Sequence, residues 1–183
     1  MSDARSRWDA RYADGDWVDL SDPIPTLRDA VRWVDPGRAL DIASGAGRNA
    51  RFLAQSGWSV VAVDLSLEGL RQMGRIPGVL PVLADVEHFE LRDASVDLVV
   101  NSWFLQRSIF PLIRRVLRPG GILVFETFSV IELDELGGDI RRAFALERGE
   151  LLRAFSDFAI LEHEEGITDE RGVARMIARK PVG

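Results

Sequence analysis

The stretch that most constrains this chain is Leu40-Asp41-Ile42-Ala43-Ser44-Gly45-Ala46-Gly47-Arg48-Asn49-Ala50, an apolar run that turns through glycines into a helical pattern. Residues 39–43 read as a buried strand, and Arg48 to Ser56 as a helix ended by Gly57. Small residues at such a junction let the backbone approach a ligand closely, and the helix start behind them offers unpaired N–H groups. The spacing Gly45-x-Gly47-x-x-Ala50 satisfies a dinucleotide fingerprint, and Asp64 follows 19 residues after Gly45.

The segments that follow keep the same alternation. Val60 to Val63 is a short apolar run that ends in Asp64, and Leu67, Leu70 and Met73 form a helical stripe closed by Gly74. Leu80-Pro81-Val82-Leu83 reads as an edge strand because of its proline, and it leads to Asp85. Val96 to Val100, a helix over Ile109 to Leu117, the turn Arg118-Pro119-Gly120-Gly121 and the run Ile122 to Glu126 continue the order. Strand and helix in alternation imply an α/β domain with a parallel sheet. Beyond it lie a polar stretch with Gly137-Gly138, a helix around Glu150 to Phe155, and two strand-like runs, Phe158 to Glu164 and Val173 to Arg179. Separated by Gly166 to Gly172, these two runs suggest an antiparallel pair. Ahead of the sheet, Ser6 to Tyr12 places Trp8 and Tyr12 on one face if helical, suited to helix packing or to an aromatic lid. A loop through Asp14-Gly15-Asp16 and Trp17 then leads to a second helix bearing Leu27, Ala30, Val31 and Val34, stopped by Asp35-Pro36-Gly37.

Composition narrows the chemistry. A chain of 183 residues, 46% hydrophobic and 28% charged, suits one globular domain over residues 1–183. No apolar run approaches the roughly 18 residues a membrane span needs, and the charged N-terminal segment is unlike a signal peptide, so the chain is read as cytoplasmic. The absence of cysteine removes disulfides, thiol nucleophiles, iron–sulfur clusters and Cys-ligated zinc, and no metal site is expected. A net charge of -6 argues against a phosphate-backbone footprint, so nucleic acid is not expected as a partner.

Three acids fall in step near the carboxyl ends of successive strands: Asp41, Asp64 and Asp85. In an open α/β sheet that edge binds ligands. The glycine loop and Asp64 taken alone fit a nicotinamide dinucleotide. Asp41 weighs against one, because a carboxylate beside the loop repels a pyrophosphate and attracts a cationic amine. S-adenosylmethionine carries such an amine and no pyrophosphate. Asp64 can then accept from both ribose hydroxyls and Asp85 from the adenine amino group.

On these residues the chain resembles the class I S-adenosylmethionine-dependent methyltransferases, especially their small, tellurite-resistance-like branch. Asp41 to Asn49 resembles the first motif, Val63-Asp64-Leu65-Ser66 the ribose-binding motif, Ala84-Asp85-Val86 the adenine-binding motif, and Asp97 to Asn101 the motif of strand four. Leu117 to Leu123 is similar to the turn into strand five, and Trp8-Asp9-Ala10-Arg11-Tyr12 to an N-terminal Trp-Asp-x-Arg-Tyr element. The resemblance implies a Rossmann-like, mostly parallel seven-stranded sheet with helices on both faces, closed by an antiparallel C-terminal strand pair. It also implies that residues 1–37 form a helical lid or cap. The cofactor-binding set it implies is Asp41, Ser44, Gly45, Gly47, Arg48, Asn49, Asp64, Leu65, Asp85, Val86 and Asn101, with S-adenosylhomocysteine as product. Ala43 stands where the family pattern has its first glycine, and a positive φ there would strain an alanine.

Methyl transfer to a small molecule asks the protein for alignment and desolvation more than for covalent help. Candidates at the acceptor site are Trp103, Arg107, His88 and Tyr12. Each also has a plainer role: packing for Trp103 and Phe104, a solvated charge for Arg107 and for Arg141-Arg142, and a loop histidine for His88. His163 reads as structural. The Asn/Asp-Pro-Pro-Tyr/Phe element of amino-group methyltransferases is absent, and Asn101-Ser102-Trp103-Phe104 occupies its place. Two other readings stand beside this one, an NAD(P)-binding oxidoreductase and a noncatalytic adenosyl-ligand-binding protein.

Overall fold

A computed structural model describes residues 2–15 and 22–182. The elements run in the order α1 (Ser2–Asp14), α2 (Pro25–Ala30), β1 (Arg38–Ile42), α3 (Arg48–Gln55), β2 (Ser59–Asp64), α4 (Leu67–Met73), β3 (Val79–Leu83) and β4 (Val96–Ser102). They continue with α5 (Phe110–Val116), β5 (Leu117–Phe128), α6 (Ile131–Asp134), α7 (Glu150–Ala154), β6 (Ala159–Thr168) and β7 (Arg171–Arg179). The strands form one sheet in the order β3-β2-β1-β4-β5-β7-β6. The first five are parallel and β7 is antiparallel to both β5 and β6. This is the expected Rossmann-like sheet with its antiparallel closing pair.

Alternation along the strands divides the core into two layers. Leu40, Ile42, Val99, Leu123 and Phe125 face α5 and α7, where Ile113, Val116, Leu151 and Phe155 cover them. Ala39, Val60, Ala62, Leu98, Val100 and Val124 face the other side, where Ile24 and Leu27 at α2, Leu53 of α3 and Met73 of α4 close the layer. Strands buried on both faces read as nearly continuous apolar runs, as β1 and β4 do. Pro81 lies on the edge strand β3, where a missing ladder donor is tolerated.

Several boundaries depart from expectation. Helix α2 stops at Ala30, and residues 31–34 form a turn with Arg32 and Trp33 N–H groups bonded three residues back. Trp33 is exposed there and donates its indole N–H to Glu162 at 3.3 Å. Strand β5 begins at Leu117 and carries the Pro119-Gly120-Gly121 segment as an irregularity in its pairing with β4. The loop expected over Gly166 to Gly172 shrinks to two residues, because Asp169 and Glu170 both take positive φ (50° and 62°) and close a tight hairpin. The loop expected at Asp16 and Trp17 lies outside the described residues. No helix among those described is long and apolar enough to cross a membrane.

Candidate functional site

The strand order reverses between β1 and β4, and there a cleft of about 340 Å³ opens beyond the carboxyl ends of the strands. From the first half of the chain it is lined by Ala43, Ser44, Gly47, Arg48, Asn49, Asp64, Leu65, Asp85 and Val86. Trp8 and Tyr12 of α1 and Ser102, Trp103, Phe104, Phe128 and Arg171 complete its wall. Asp41, Gly45 and Asn101 stand next to lining residues without reaching the wall, and His88 and Arg107 are not on it.

The glycine loop is wound tightly. Gly47 N–H bonds to Ser44 O at 2.9 Å, and Ser44 N–H to Val63 O at 3.0 Å. Gly45 and Gly47 take positive φ, 53° and 80°. The Tyr12 ring packs so closely on Gly45 that any Cβ there would collide with its hydroxyl. Ala43 also takes positive φ, 52°, so the strain that an alanine would bear at this place is present.

Asp41 is wholly buried, and neither carboxylate oxygen makes a well-formed hydrogen bond, the Ala50 N–H being only loosely directed at it. Burial pushes its pKa up to about 7; the Ala50 backbone N–H and the nearby Arg48 guanidinium offset this only in part, and Asp64 adds to it. Two further buried groups lack partners close by, the Ser44 hydroxyl and the Asn101 side-chain oxygen. Unsatisfied buried polar atoms are rare in folded proteins, and these three groups lie at the ends of β1 and β4 beside the cleft, as His163, Glu165 and Arg175 on β6 and β7 do not.

Asp64 proves to be more than a carboxylate at a loop edge. Its Oδ2 accepts from Gly45 N–H at 2.7 Å and its Oδ1 from Ser66 N–H at 2.7 Å, so it ties the glycine loop to the start of α4. Burial raises its pKa above the usual carboxylate range, against the lowering effect of those N–H groups. A carboxylate offers about four acceptor positions, so two remain for a ligand. Asp85, half-buried, accepts from Glu87 N–H at 3.1 Å and keeps its place on the wall.

Other expectations need correction. Asn49 lines the cleft, but its side chain is spent internally, accepting from Ile24 N–H at 3.1 Å and donating to Ser102 Oγ at 2.9 Å. Asn101 donates to Phe104 O at 2.7 Å, fixing the bend after β4. His88 points to solvent beside Asp85, its Nδ1 3.6 Å from that carboxylate, and takes no part in the cleft. Arg107 is a strut: its guanidinium donates to Glu150 at 2.6 and 2.8 Å and to the carbonyls of Ala143 and Ala145, pinning the segment before α7. Burial would raise the Glu150 carboxyl, yet Arg107 and the Glu147 N–H hold it below the usual range.

Trp103 and Tyr12 do reach the cleft. Trp103 takes φ 55°, anchored by its N–H on Glu126 O at 2.8 Å and packed on the Phe128 ring at 4.9 Å. Strained residues of this kind gather at functional sites. Tyr12 is held by the docking of α1 on α4, where Asp9 Oδ1 accepts from Ser66 Oγ at 2.7 Å and Glu68 N–H at 3.0 Å, and Gln72 donates to Tyr12 O at 2.7 Å. Burial, with Asp64 close by, pushes the Tyr12 hydroxyl far above the usual phenol range, so it stays a donor. Sequence reasoning missed Asp9 as the clamp on α4, and Phe128 and Arg171 as part of the wall. Only the β5–β7 pairing brings those last two together, through the register Phe128 opposite Val173.

Residues 40–125 match the family model of a methyltransferase domain. Malonyl-[acyl-carrier protein] O-methyltransferase of Yersinia pestis is 33% identical over 131 residues, 68% of this chain and 46% of that protein. The chain spans about 40 to 46% of the length of the curated relatives that carry this name. Among solved structures, TehB of Haemophilus influenzae superposes with a TM-score of 0.72 at 22% identity, covering 84% of this chain and 61% of that one. The 1,6-didemethyltoxoflavin-N1-methyltransferase of Burkholderia thailandensis superposes with a TM-score of 0.75 at 21% identity, covering 97% of this chain and 87% of that one. The chain thus has the fold of these solved structures, with the cleft at the switch point of its sheet, and over residues 40–125 it is similar to a methyltransferase domain.

Proposed function

We propose that this chain binds S-adenosylmethionine in the cleft between the ends of β1 and β4 and transfers its methyl group to a small acceptor. The observation that carries this reading is Asp41, a wholly buried carboxylate behind the glycine loop with neither oxygen in a well-formed hydrogen bond. An unpaired buried charge costs roughly 3–5 kcal/mol, and a cationic amine meets that need where a pyrophosphate would add to it. The same need weighs against the dinucleotide reading.

The remaining residues fit the other parts of the cofactor. Asp64 has acceptor positions left for the ribose hydroxyls, Asp85 faces the place for the adenine amino group, and Leu65 and Val86 give that end apolar walls. Ser44, Gly45, Gly47 and Arg48 surround the amino-acid end, while Asn49 and Asn101 act by holding the strand ends in place. Tyr12 and Trp8 form the lid, within a cap of residues 1–37 on a single domain of residues 1–183.

When bound, the cofactor supplies an electrophilic methyl on sulfonium, already a good leaving group. The chain aligns the acceptor and excludes water, with Trp103, Phe104 and Phe128 as the apolar side of the cleft. Tyr12 stays protonated and offers a donor rather than a base. One relative is named for O-methylation of malonyl-[acyl-carrier protein] and one structural neighbour for N1-methylation of 1,6-didemethyltoxoflavin; the second supports a small-molecule acceptor, and the two together do not choose its atom. The acidic net charge supports the same class over nucleic acid.

Calorimetry tests the reading. S-adenosylhomocysteine is expected to bind saturably and NAD not at all. NAD binding without any response to the adenosyl ligand would overturn the methyltransferase function. Adenosyl binding with no methylated product from thiols, amines, phenols, carboxylates and chalcogen oxyanions, followed by mass spectrometry, would shift the reading to a ligand-binding protein.

A further inference from the structure

The charge along the cleft is unevenly placed. Asp64 and Asp85 close the ends of β2 and β3, whereas Arg171 opens β7. Four strand spacings separate β2 from β7, about 19 Å along the sheet edge. Arg171 therefore faces the part of the cleft that the adenosine-binding acids do not reach. It shares the wall with Trp103, Phe104 and Phe128; its guanidinium is 6.0 Å from the centre of the Phe128 ring, on which Trp103 packs at 4.9 Å.

A buried acid aims this arginine. Glu132 of α6 is 3% exposed; its Oε1 accepts from Arg171 Nη1 at 3.1 Å and its Oε2 from Gly172 N–H at 2.6 Å. Gly172 O in turn accepts from Ser129 N–H at 2.9 Å. The chain at Gly172 lies so close to the Glu132 backbone that no Cβ fits between them. These contacts fix the base of Arg171 and engage one face of its fork. The guanidinium itself is mostly exposed at the cleft mouth, and among the described residues Glu132 is its one hydrogen-bond partner. Since a guanidinium carries five N–H donors in a rigid plane, the remainder are free to take a carboxylate or similar oxyanion side-on.

We propose that Arg171, aimed by Glu132 above the Trp103–Phe128 floor, selects acceptors that carry an anionic group on a flat or apolar body. This rests on the methyltransferase reading of the same cleft and names the substrate class for it. Arg171 acts as a specificity-determining residue, and Glu132 as the residue that positions it.

The test uses the full chain with S-adenosylhomocysteine bound, titrated with pairs of aromatic acids and their primary amides: benzoate, salicylate and indole-3-acetate against benzamide, salicylamide and indole-3-acetamide. Binding is read by tryptophan fluorescence, since Trp8 and Trp103 line the cleft. At least one acid is expected to bind about tenfold more tightly than its amide, the size expected for a charge-assisted pair at a partly exposed site. Arg171→Met removes that preference, Arg171→Lys keeps part of it through charge without the fork, and adenosyl affinity serves as the folding control. Equal binding of acid and amide in every pair, no acid binding, or a preference that survives in Arg171→Met overturns the proposal. A chain that does not bind S-adenosylhomocysteine fails the cofactor reading instead. The titration of ligand-free protein then judges Arg171 by the same acid–amide preference.

Discussion

Along the carboxyl edge of the sheet, β1, β2 and β3 deliver Asp41, Asp64 and Asp85 from one short run of chain, while β4, β5 and β7 deliver Trp103, Phe128 and Arg171 from segments far apart in sequence. The first group is polar, largely buried and tied to backbone N–H groups or left without well-formed hydrogen bonds. The second is aromatic and half-open, with a single guanidinium held by Glu132. One half of the cleft is shaped by local loop geometry. The other is shaped by strand register, where a substitution leaves the loop undisturbed.

The largest break in this contrast comes at Asp41. Asp41→Asn is expected to lower S-adenosylhomocysteine affinity about 100-fold at pH 8, since a hydrogen bond to a charged group is worth ~1.5–3 kcal/mol. The wild-type carboxyl is pushed up to about 7 from an unfolded value near 3.8. Between those values the folded state holds a proton that the unfolded state has lost. This group's contribution to stability is therefore greatest below the unfolded value and declines as pH rises through about 7. Thermal midpoints of the ligand-free protein fall further between pH 5 and 8 for wild type than for Asp41→Asn, and adenosyl affinity rises over the same window as Asp41 ionises against the ligand amine. Parallel pH curves for the two proteins would remove Asp41 from the site.

Asp64 comes next. Because it ties Gly45 to Ser66, Asp64→Ala loses about 1–3 kcal/mol of stability in urea as well as at least tenfold in adenosyl affinity, with Asp64→Asn between the two. An alanine variant of wild-type stability would return Asp64 to the role of a simple loop-edge acceptor.

The same contrast explains what the sequence discloses. Glycine spacing, a strand that ends in an acid and a helix that follows are local signals, so Asp41, Gly45, Gly47, Asp64 and Asp85 stand out as candidates without knowing the fold. The parallel sheet and its antiparallel closing pair follow from alternation and from two C-terminal apolar runs. Arg171 carries no local mark: it reads as one more charge beside a hairpin turn, and only the pairing of β7 with β5 brings it beside Phe128. Arg107 misleads for the complementary reason, since its position just beyond β4 suits an acceptor site while its partners, Glu150 and the carbonyls of Ala143 and Ala145, lie some 40 residues on. Arg107→Ala is accordingly expected to lower stability by about 1 kcal/mol, discounted for solvent exposure, with adenosyl affinity and acid–amide preference unchanged. A loss of acceptor binding in a stable Arg107→Ala protein would put this arginine back at the cleft.

The smallest effect is also the one that best separates the two halves, because each carries a non-glycine residue at nearly the same strained φ, Ala43 at 52° and Trp103 at 55°. At Ala43 the side chain is a single methyl on the cleft wall. Ala43→Gly relieves left-handed strain of about 1–2 kcal/mol against an entropic cost of about 0.5–1 kcal/mol. A net gain of about 0.5 kcal/mol follows, seen as a rise in Tm of a few degrees at most, with adenosyl affinity equal or higher. At Trp103 the same relief is outweighed by the loss of the ring packed on Phe128, so Trp103→Gly destabilises. If Ala43→Gly instead weakens adenosyl binding, the methyl is a ligand contact rather than a tolerated departure, and the cofactor half is tuned by side chains as the acceptor half is.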